Sequence, residues 1–298
     1  MSIPLLPLLL VVASSLGWAG LDLLRKLLVR EVSPMALLFA QTLGTAPLFA
    51  VWMLAGGADP PAAGYWTPAL VSVLLNLFAN LFLLEGMRIV PLSISVPLLS
   101  LTPVFAALLA IPLLGEIPSP ANAAGILMVI AGAIWLHWRP RSLPDLAPGE
   151  PQAEGDRRLQ LKGALFVALT ALLWAMTVPL DKLALARAAA PLHGTVLNGG
   201  VALMVLLVLL GRRQTGELAR VRRVPGLYAL SLMVSCFALG LQLLALPLMF
   251  VGTIETLKRG IGNFMALAFG WIFFREAVTL RKMAALAVMA VGVGLILT

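Results

Sequence analysis

The feature that most constrains this chain is a succession of apolar runs, each about as long as a helix needs to cross a bilayer. They lie at about Pro4–Leu24, Pro34–Leu54, Tyr65–Leu84, Leu92–Leu114 and Pro120–Trp138, then Leu161–Leu183, Leu192–Leu210, Gly226–Phe250, Thr253–Phe274 and Thr279–Leu297. A soluble globule cannot be built this way. Hydrophobic residues make up 61% of the 298 positions and charged residues 11%, against about 25% charged in soluble domains, which is too little to cover their surface. The runs exclude a soluble enzyme, a peripheral protein and a single-pass anchor. They also exclude an outer-membrane barrel, whose strands alternate polar with apolar residues. The sequence therefore predicts an all-α integral membrane protein with ten transmembrane helices.

One long polar stretch interrupts the pattern. RPRSLPDLAPGEPQAEGDRRLQLK, Arg139–Lys162, mixes Pro, Gly and both signs of charge without an apolar period. It divides the chain into a first five-helix unit over residues 1–138, a polar linker over 139–160 and a second unit over 161–298. The two units resemble each other. At an offset of 160, Ala106 matches Ala266, Glu116 matches Glu276, Ala124 matches Ala284 and Gly132 matches Gly292. At an offset of 156, Trp18-Ala19 matches Trp174-Ala175 and Lys26 matches Lys182. Five helices per copy force the second copy to insert upside down, giving an inverted repeat of the kind on which secondary transporters are built. The first run carries its charges after it, so it is expected to be a retained helix and not a cleaved leader.

Charge fixes the expected orientation. Loops after odd-numbered runs hold 17 of the 21 Lys and Arg residues, and only Lys182, Arg187, Lys258 and Arg259 belong to the other side or to a span. The basic side is then cytoplasmic and both termini face outward, in an inner (plasma) membrane. The net charge of +8 does not point to nucleic acid, because the basic residues lie between apolar runs without interleaved aromatics. A single cysteine, Cys236, and two histidines far apart, His137 and His193, offer no disulfide and no metal cluster. No Walker, GxSxG or HExxH element occurs. No cofactor is called for.

The stretch PLSISVPLLSLTPVFAALLAIPLLGE (Pro91–Glu116), its counterpart VGTIETLKRGIGNFMALAFGWIFFRE (Val251–Glu276) and a Trp in the first span of each half resemble the EamA-type repeats of the drug/metabolite transporter superfamily. The resemblance covers essentially the whole chain outside the linker. It implies a ten-helix carrier with a pseudo-two-fold axis. The first, third and fourth helices of each half would face their counterparts across a central cavity, and the fifth and tenth would pack at the periphery. Many relatives keep both termini in the cytoplasm, where the charge count here puts them outside.

Intramembrane polar residues are the candidates for function, since each costs free energy unless paired or facing water. Ser14, Trp18, Asp22 and Arg25 recur on one helical face, as do Thr170, Trp174, Thr177 and Asp181. Trp18 and Trp174 suit a cavity wall or an interfacial belt, while Asp22 and Asp181 sit beside basic residues at span ends, where solvation is the plainer expectation. Asn76 and Asn80, four apart, and Gln242 serve either as interhelical glue or as cavity amides. The sharpest site is Glu255, Lys258 and Arg259, followed by Gly260, Gly262 and Asn263. Arg259 lies 16 residues before Arg275, or about 24 Å along a helix. Its counterparts in the first half at an offset of 160 are uncharged, Ser95, Leu98 and Leu99 matching Glu255, Lys258 and Arg259. Either these cations snorkel beside an i,i+4 pair, or they anchor a carboxylate or phosphate, with Glu255 as resting counter-ion and its protonation as a route to proton coupling.

These residues point to a carrier of a small organic metabolite, an amino acid or an amphipathic anion or zwitterion, working by alternating access in the export direction. Its partners are the substrate and the lipid bilayer, and monomer and homodimer are both open. A lipid-handling protein or membrane enzyme binding an anionic head group is the alternative, although the loops lack the acid/base clusters it would need.

Overall fold

In the computed structural model the described residues are 4–57, 59–90, 98–137, 151–213, 221, 223–274 and 279–297. Among them the chain forms ten α-helices and no strand. These are α1 (Leu5–Leu28), α2 (Pro34–Ala55), α3 (Trp66–Ile89), α4 (Thr102–Leu114), α5 (Pro120–His137), α6 (Pro151–Leu185), α7 (Ala190–Gly211), α8 (Pro225–Ala245), α9 (Val251–Phe274) and α10 (Leu280–Leu297). Among the described residues, six segments are long and apolar enough to cross a membrane: α1, α2, α3, Arg158–Leu185 of α6, α7 and Pro225–Leu248. Shorter apolar helices cover Thr102–Leu114 and Pro120–Trp135. The protein is a multi-pass membrane protein.

The sequence explains most boundaries. Proline opens α2, α5, α6 and α8 at Pro34, Pro120, Pro151 and Pro225, a position where its missing N–H would have had no helical partner. The 3₁₀ turn Leu246–Leu248 after α8 contains Pro247. Gly115 closes α4 in the left-handed region at φ 69°, which a residue without Cβ adopts at little cost. The Gly115 and Glu116 amides donate back to Ile111 (3.0 Å) and Ala110 (3.3 Å), the first being the 5→1 bond of an αL cap.

One expected boundary is modified and another is described only in part. Of the fourth run, expected from Leu92, residues 98 and 99 are helical and α4 covers Thr102–Leu114. Pro103 lies in its first turn and so starts this helix without bending it. Pro91 and Pro97 lie outside the described residues, as do Trp138, residues 139–150 of the linker, and Arg275 and Glu276. The sixth run begins earlier than its apolar pattern, because α6 is helical from Pro151.

The packing pairs follow one rule. Strong contacts join α1 with α8 and α3 with α6, α1 with α9 and α4 with α6, and α2 with α7, α4 with α9 and α5 with α10. Adding five to a helix number, cyclically, maps this set onto itself. Matching hydrogen bonds repeat the rule in atomic detail. Ser14 of α1 donates to the Ala238 carbonyl of α8 (2.7 Å), and Thr170 of α6, 156 positions later, donates to Ala79 of α3 (3.1 Å). Lys26 donates to the Met87 carbonyl near the end of α3, and Lys182 to Met249 just after α8, both at 2.6 Å.

Small residues allow the closest approach. A Cβ on Gly125 of α5 would stand 2.6 Å from the Gly292 carbonyl of α10, and one on Gly132 would meet Met289 at 2.4 Å. Helices this close gain dispersion contacts over backbone as well as side chains. Gly294, two residues on, faces open space, because it lies off the Gly292 face of α10 that meets α5.

Candidate functional site

Helices α1, α2, α3, α6, α7, α8 and α9 surround a central cavity of about 1040 Å³, counting its open mouth. Polar side chains reach it at intervals of three or four residues, the period that keeps a helix face in register. From α1 come Trp18, Asp22 and Arg25, and from α6 come Trp174, Thr177 and Asp181. The two repeat-related faces named from sequence thus meet across one cavity. Asn76 and Asn80 of α3 join them, with Gln242 of α8 and Lys258 and Arg259 of α9.

Cations and indoles are interleaved. The Arg25 guanidinium carbon lies 5.9 Å from the Trp18 ring centre and Lys258 Nζ lies 5.8 Å from it. Arg259 stands 5.7 Å over Trp174. Such stacking holds a cation by the negative face of the ring while leaving its N–H groups free to donate. Arg25 Nε donates to Gln41 Oε1 at 3.2 Å and Lys258 Nζ donates to Gln242 Oε1 at 3.3 Å. Glu255, fully buried, forms an ion pair with Lys258 one turn away.

Four buried nitrogens of cavity-lining residues have no hydrogen-bond partner among the described residues: Trp18 Nε1, Arg25 Nη1, Gln41 Nε2 and Arg259 Nε. All four are donors. A buried donor left without an acceptor costs about 1–3 kcal/mol, and more when it is charged. The arrangement therefore favours an acceptor-rich guest.

Seven of the nine residues singled out from sequence line the cavity: Trp18, Asn76, Asn80, Trp174, Gln242, Lys258 and Arg259. Glu255 and Asn263 do not. Glu255 sits behind Lys258, and Asn263 Nδ2 donates to Ser100 Oγ at 3.1 Å, tying α9 to the segment before α4. Asn76 and Asn80 also donate to backbone carbonyls one turn back, at 3.1 and 2.8 Å, so they join the wall while bonding along α3.

Sequence reasoning underrated Asp22 and Asp181, which line the cavity where solvated span ends were the plainer expectation. Their spacing from Trp18 and Trp174 carried the signal. It missed Gln41 and Asn198 altogether, since a lone amide in an apolar helix does not reveal which way it faces. Glu116, just after α4, links three elements. Its carboxylate pairs with Lys182 at 2.5 Å and accepts from the Val251 amide at 2.8 Å. It thereby joins the end of α4 to α6 and the start of α9.

Residues 5–138 match the model of the EamA-like transporter family. Over this segment the chain is similar to the EamA-like transporters. No curated protein matches the sequence. A solved structure described only as "Crystal structure of protein" aligns with a TM-score of 0.72 over 97% of this chain and 96% of its own, at 18% identity. At that identity the likeness concerns the fold, and it runs through both halves. The EamA-type family consists generally of membrane transporters and not enzymes.

Proposed function

We propose that this EamA-type protein is a secondary transporter of ten transmembrane helices, arranged as two inverted five-helix repeats, that carries a small organic anion or zwitterion by alternating access. The four orphaned donors around the cavity carry this reading. They sit on side chains of α1, α2 and α9, and a carboxylate accepts several hydrogen bonds at once, with Arg25, Lys258 and Arg259 supplying opposite charge. Trp18 and Trp174 offer flat apolar faces for the remainder of such a molecule. Asp22 and Asp181 give an ammonium group a counter-charge, which favours amino acids among the zwitterions. The basic ends of the helices are assigned to the cytoplasm of an inner membrane and the termini to the outside, with export as the working direction.

The self-mapping packing pairs support the alternating-access part. Two copies related by such a rule can exchange conformations at little difference in free energy, one state opening the cavity to each side.

Counterflow in proteoliposomes tests the proposal, using radiolabelled L-phenylalanine, L-glutamate and benzoate as probes. Exchange of at least one probe is expected, with loss of exchange in Arg259→Leu protein that still elutes as a monodisperse species. A protein that binds anionic phospholipid at the cavity but exchanges none of the probes would instead fit the head-group alternative.

A further inference from the structure

A second polar cluster lies against the cavity wall at the end of the bundle where α2 passes into α3. His193, in the first turn of α7, and Tyr65, just before α3, are completely buried, as is Ser72, and Asp181 is 4% exposed. Tyr65 Oη lies 3.1 Å from His193 Nδ1, and His193 Nε2 lies 3.2 Å from Asp181 Oδ1. Ser72 donates to the same carboxylate oxygen, and Asn76 Nδ2 reaches Ser72 Oγ at 3.2 Å. One assignment satisfies every member. Tyr65 donates to Nδ1, the imidazole carries its proton on Nε2 and donates to Asp181, and Ser72 donates to Asp181 from the other side.

A buried imidazole is rare without a reason, and a structural role alone would be served by an amide. What an imidazole adds is a second protonation state near neutral pH. Tyr65 can receive a hydrogen bond from a protonated Nδ1 by rotating its hydroxyl, and Asp181 is already in place as counter-ion. No heavy atom has to move. Other charges stand apart. Along α7 there is no second titratable residue, and α2 presents Phe49 against Gly194. On α8 the titratable side chains are Tyr228, bonded to Ala40, and Cys236. Lys182 of α6 is engaged by Glu116, and Arg187 donates to Leu183. Tyr65 and His193 are closed to solvent, and Asp181 lines the cavity. The pair therefore meets water only through the cavity.

We infer that His193 and Asp181 form a proton-binding site, filled from the cavity, that couples proton movement to the anionic substrate. One proton from cavity water changes the pair from a net charge of −1 to zero. Asp22, Arg25, Asp181, Lys258 and Arg259 line the cavity and Glu255 backs Lys258, so three carboxylates balance three cations while the pair is unprotonated. Protonation leaves one positive charge uncompensated, which suits one monoanion. Proton and anion then load together, and the loaded carrier reorients with no net charge. The coupling rests on the carrier reading above, whereas proton binding itself does not.

The test has two arms. In full-length protein carrying His137→Gln and ¹⁵N-labelled histidine, His193 alone reports. Its nitrogens are expected to show the Nε2–H tautomer at high pH and a reversible change to the doubly protonated ring on acidification. Asp181→Asn removes the counter-ion and is expected to weaken this protonation. Tyr65→Phe should leave the protonation in place. A His193 that never takes up a second proton, or whose protonation is unaffected by Asp181→Asn, overturns the site. In the second arm, benzoate binding is followed by calorimetry in buffers of different ionisation enthalpy near neutral pH. About one proton taken up per benzoate, abolished in His193→Gln and in Asp181→Asn, supports coupling; equal uptake in all three proteins overturns it. Failure of benzoate to bind while His193 titrates normally would count against the substrate reading and not against the proton site.

Discussion

Positions 25 and 181 occupy the same place in the two halves, separated by the offset of 156 that also relates Trp18 to Trp174 and Lys26 to Lys182. One is an arginine stacked on Trp18 and bonded to Gln41; the other is an aspartate bonded to His193 and Ser72. Around them the scaffold is repeated down to single hydrogen bonds, as Ser14 and Thr170 show. The comparison teaches that duplication preserved what packing needs and released what the cavity needs. Backbone carbonyls and small residues must meet their partners in both copies, because a buried unpaired group costs the same in either half. A side chain facing the cavity has water or substrate as neighbour, so its charge is free to diverge.

The strongest way to break this comparison is to restore symmetry. Glu255→Ser with Lys258→Leu and Arg259→Leu gives α9 the residues of its counterpart at 95, 98 and 99. Binding of the carboxylate probes is expected to vanish, by about 100-fold or more, since the loss of charged hydrogen bonds is worth about 1.5–3 kcal/mol each. Thermal unfolding in detergent should change little, because both members of the buried ion pair are removed together and neither charge is left alone. Glu255→Gln alone is a different case. It strands Lys258 beside a neutral partner and should destabilise the protein by about 3 kcal/mol, read as a fall in the unfolding midpoint.

Scaffold positions sharpen the same contrast. Lys182 has a carboxylate partner in Glu116, while among the described residues Lys26 donates to the Met87 carbonyl and pairs with no carboxylate. Lys182→Met should therefore lower the unfolding midpoint more than Lys26→Met, by about 1–2 kcal/mol. Ser14→Ala and Thr170→Ala remove equivalent bonds and should cost about 1 kcal/mol each, equal within error. A clear inequality between them would undercut the equivalence of the two halves. The smallest effect belongs to Gly294→Ala, which meets open space and should change stability by less than about 0.5 kcal/mol. Gly292→Ala, two residues away, should destabilise measurably through its contact with Gly125.

Much of the architecture was legible because hydrophobic length and helical period are local properties. The apolar runs foretold the helices, and the Trp18 and Trp174 faces foretold which sides of α1 and α6 carry polar groups. Boundaries set by other causes were not legible. The start of α6 at Pro151 lies in a polar stretch, where Pro at the first helical position outweighs the missing apolar pattern. Glu255 and Asn263 looked like binding residues because they share a short segment with Lys258 and Arg259. Both lie four residues from Arg259, nearly on its helix face, and only their partners take them out of the cavity: Glu255 pairs with Lys258 and Asn263 bonds Ser100.

By itself, the sequence determined that the chain enters a membrane as helices, that residues recur at offsets of 156 and 160, and that the charges on α9 are absent at the positions 160 earlier. Those conclusions rest on composition, period and offset, which survive in one dimension. Tertiary structure alone decided that Tyr65, Ser72, Asp181 and His193 meet, although they span 128 positions, and that the orphaned donors of Trp18, Arg25, Gln41 and Arg259 surround one space. Both facts depend on which helix faces pack together. That choice is made by the summed fit of many weak contacts between distant segments, and a single helix does not contain it.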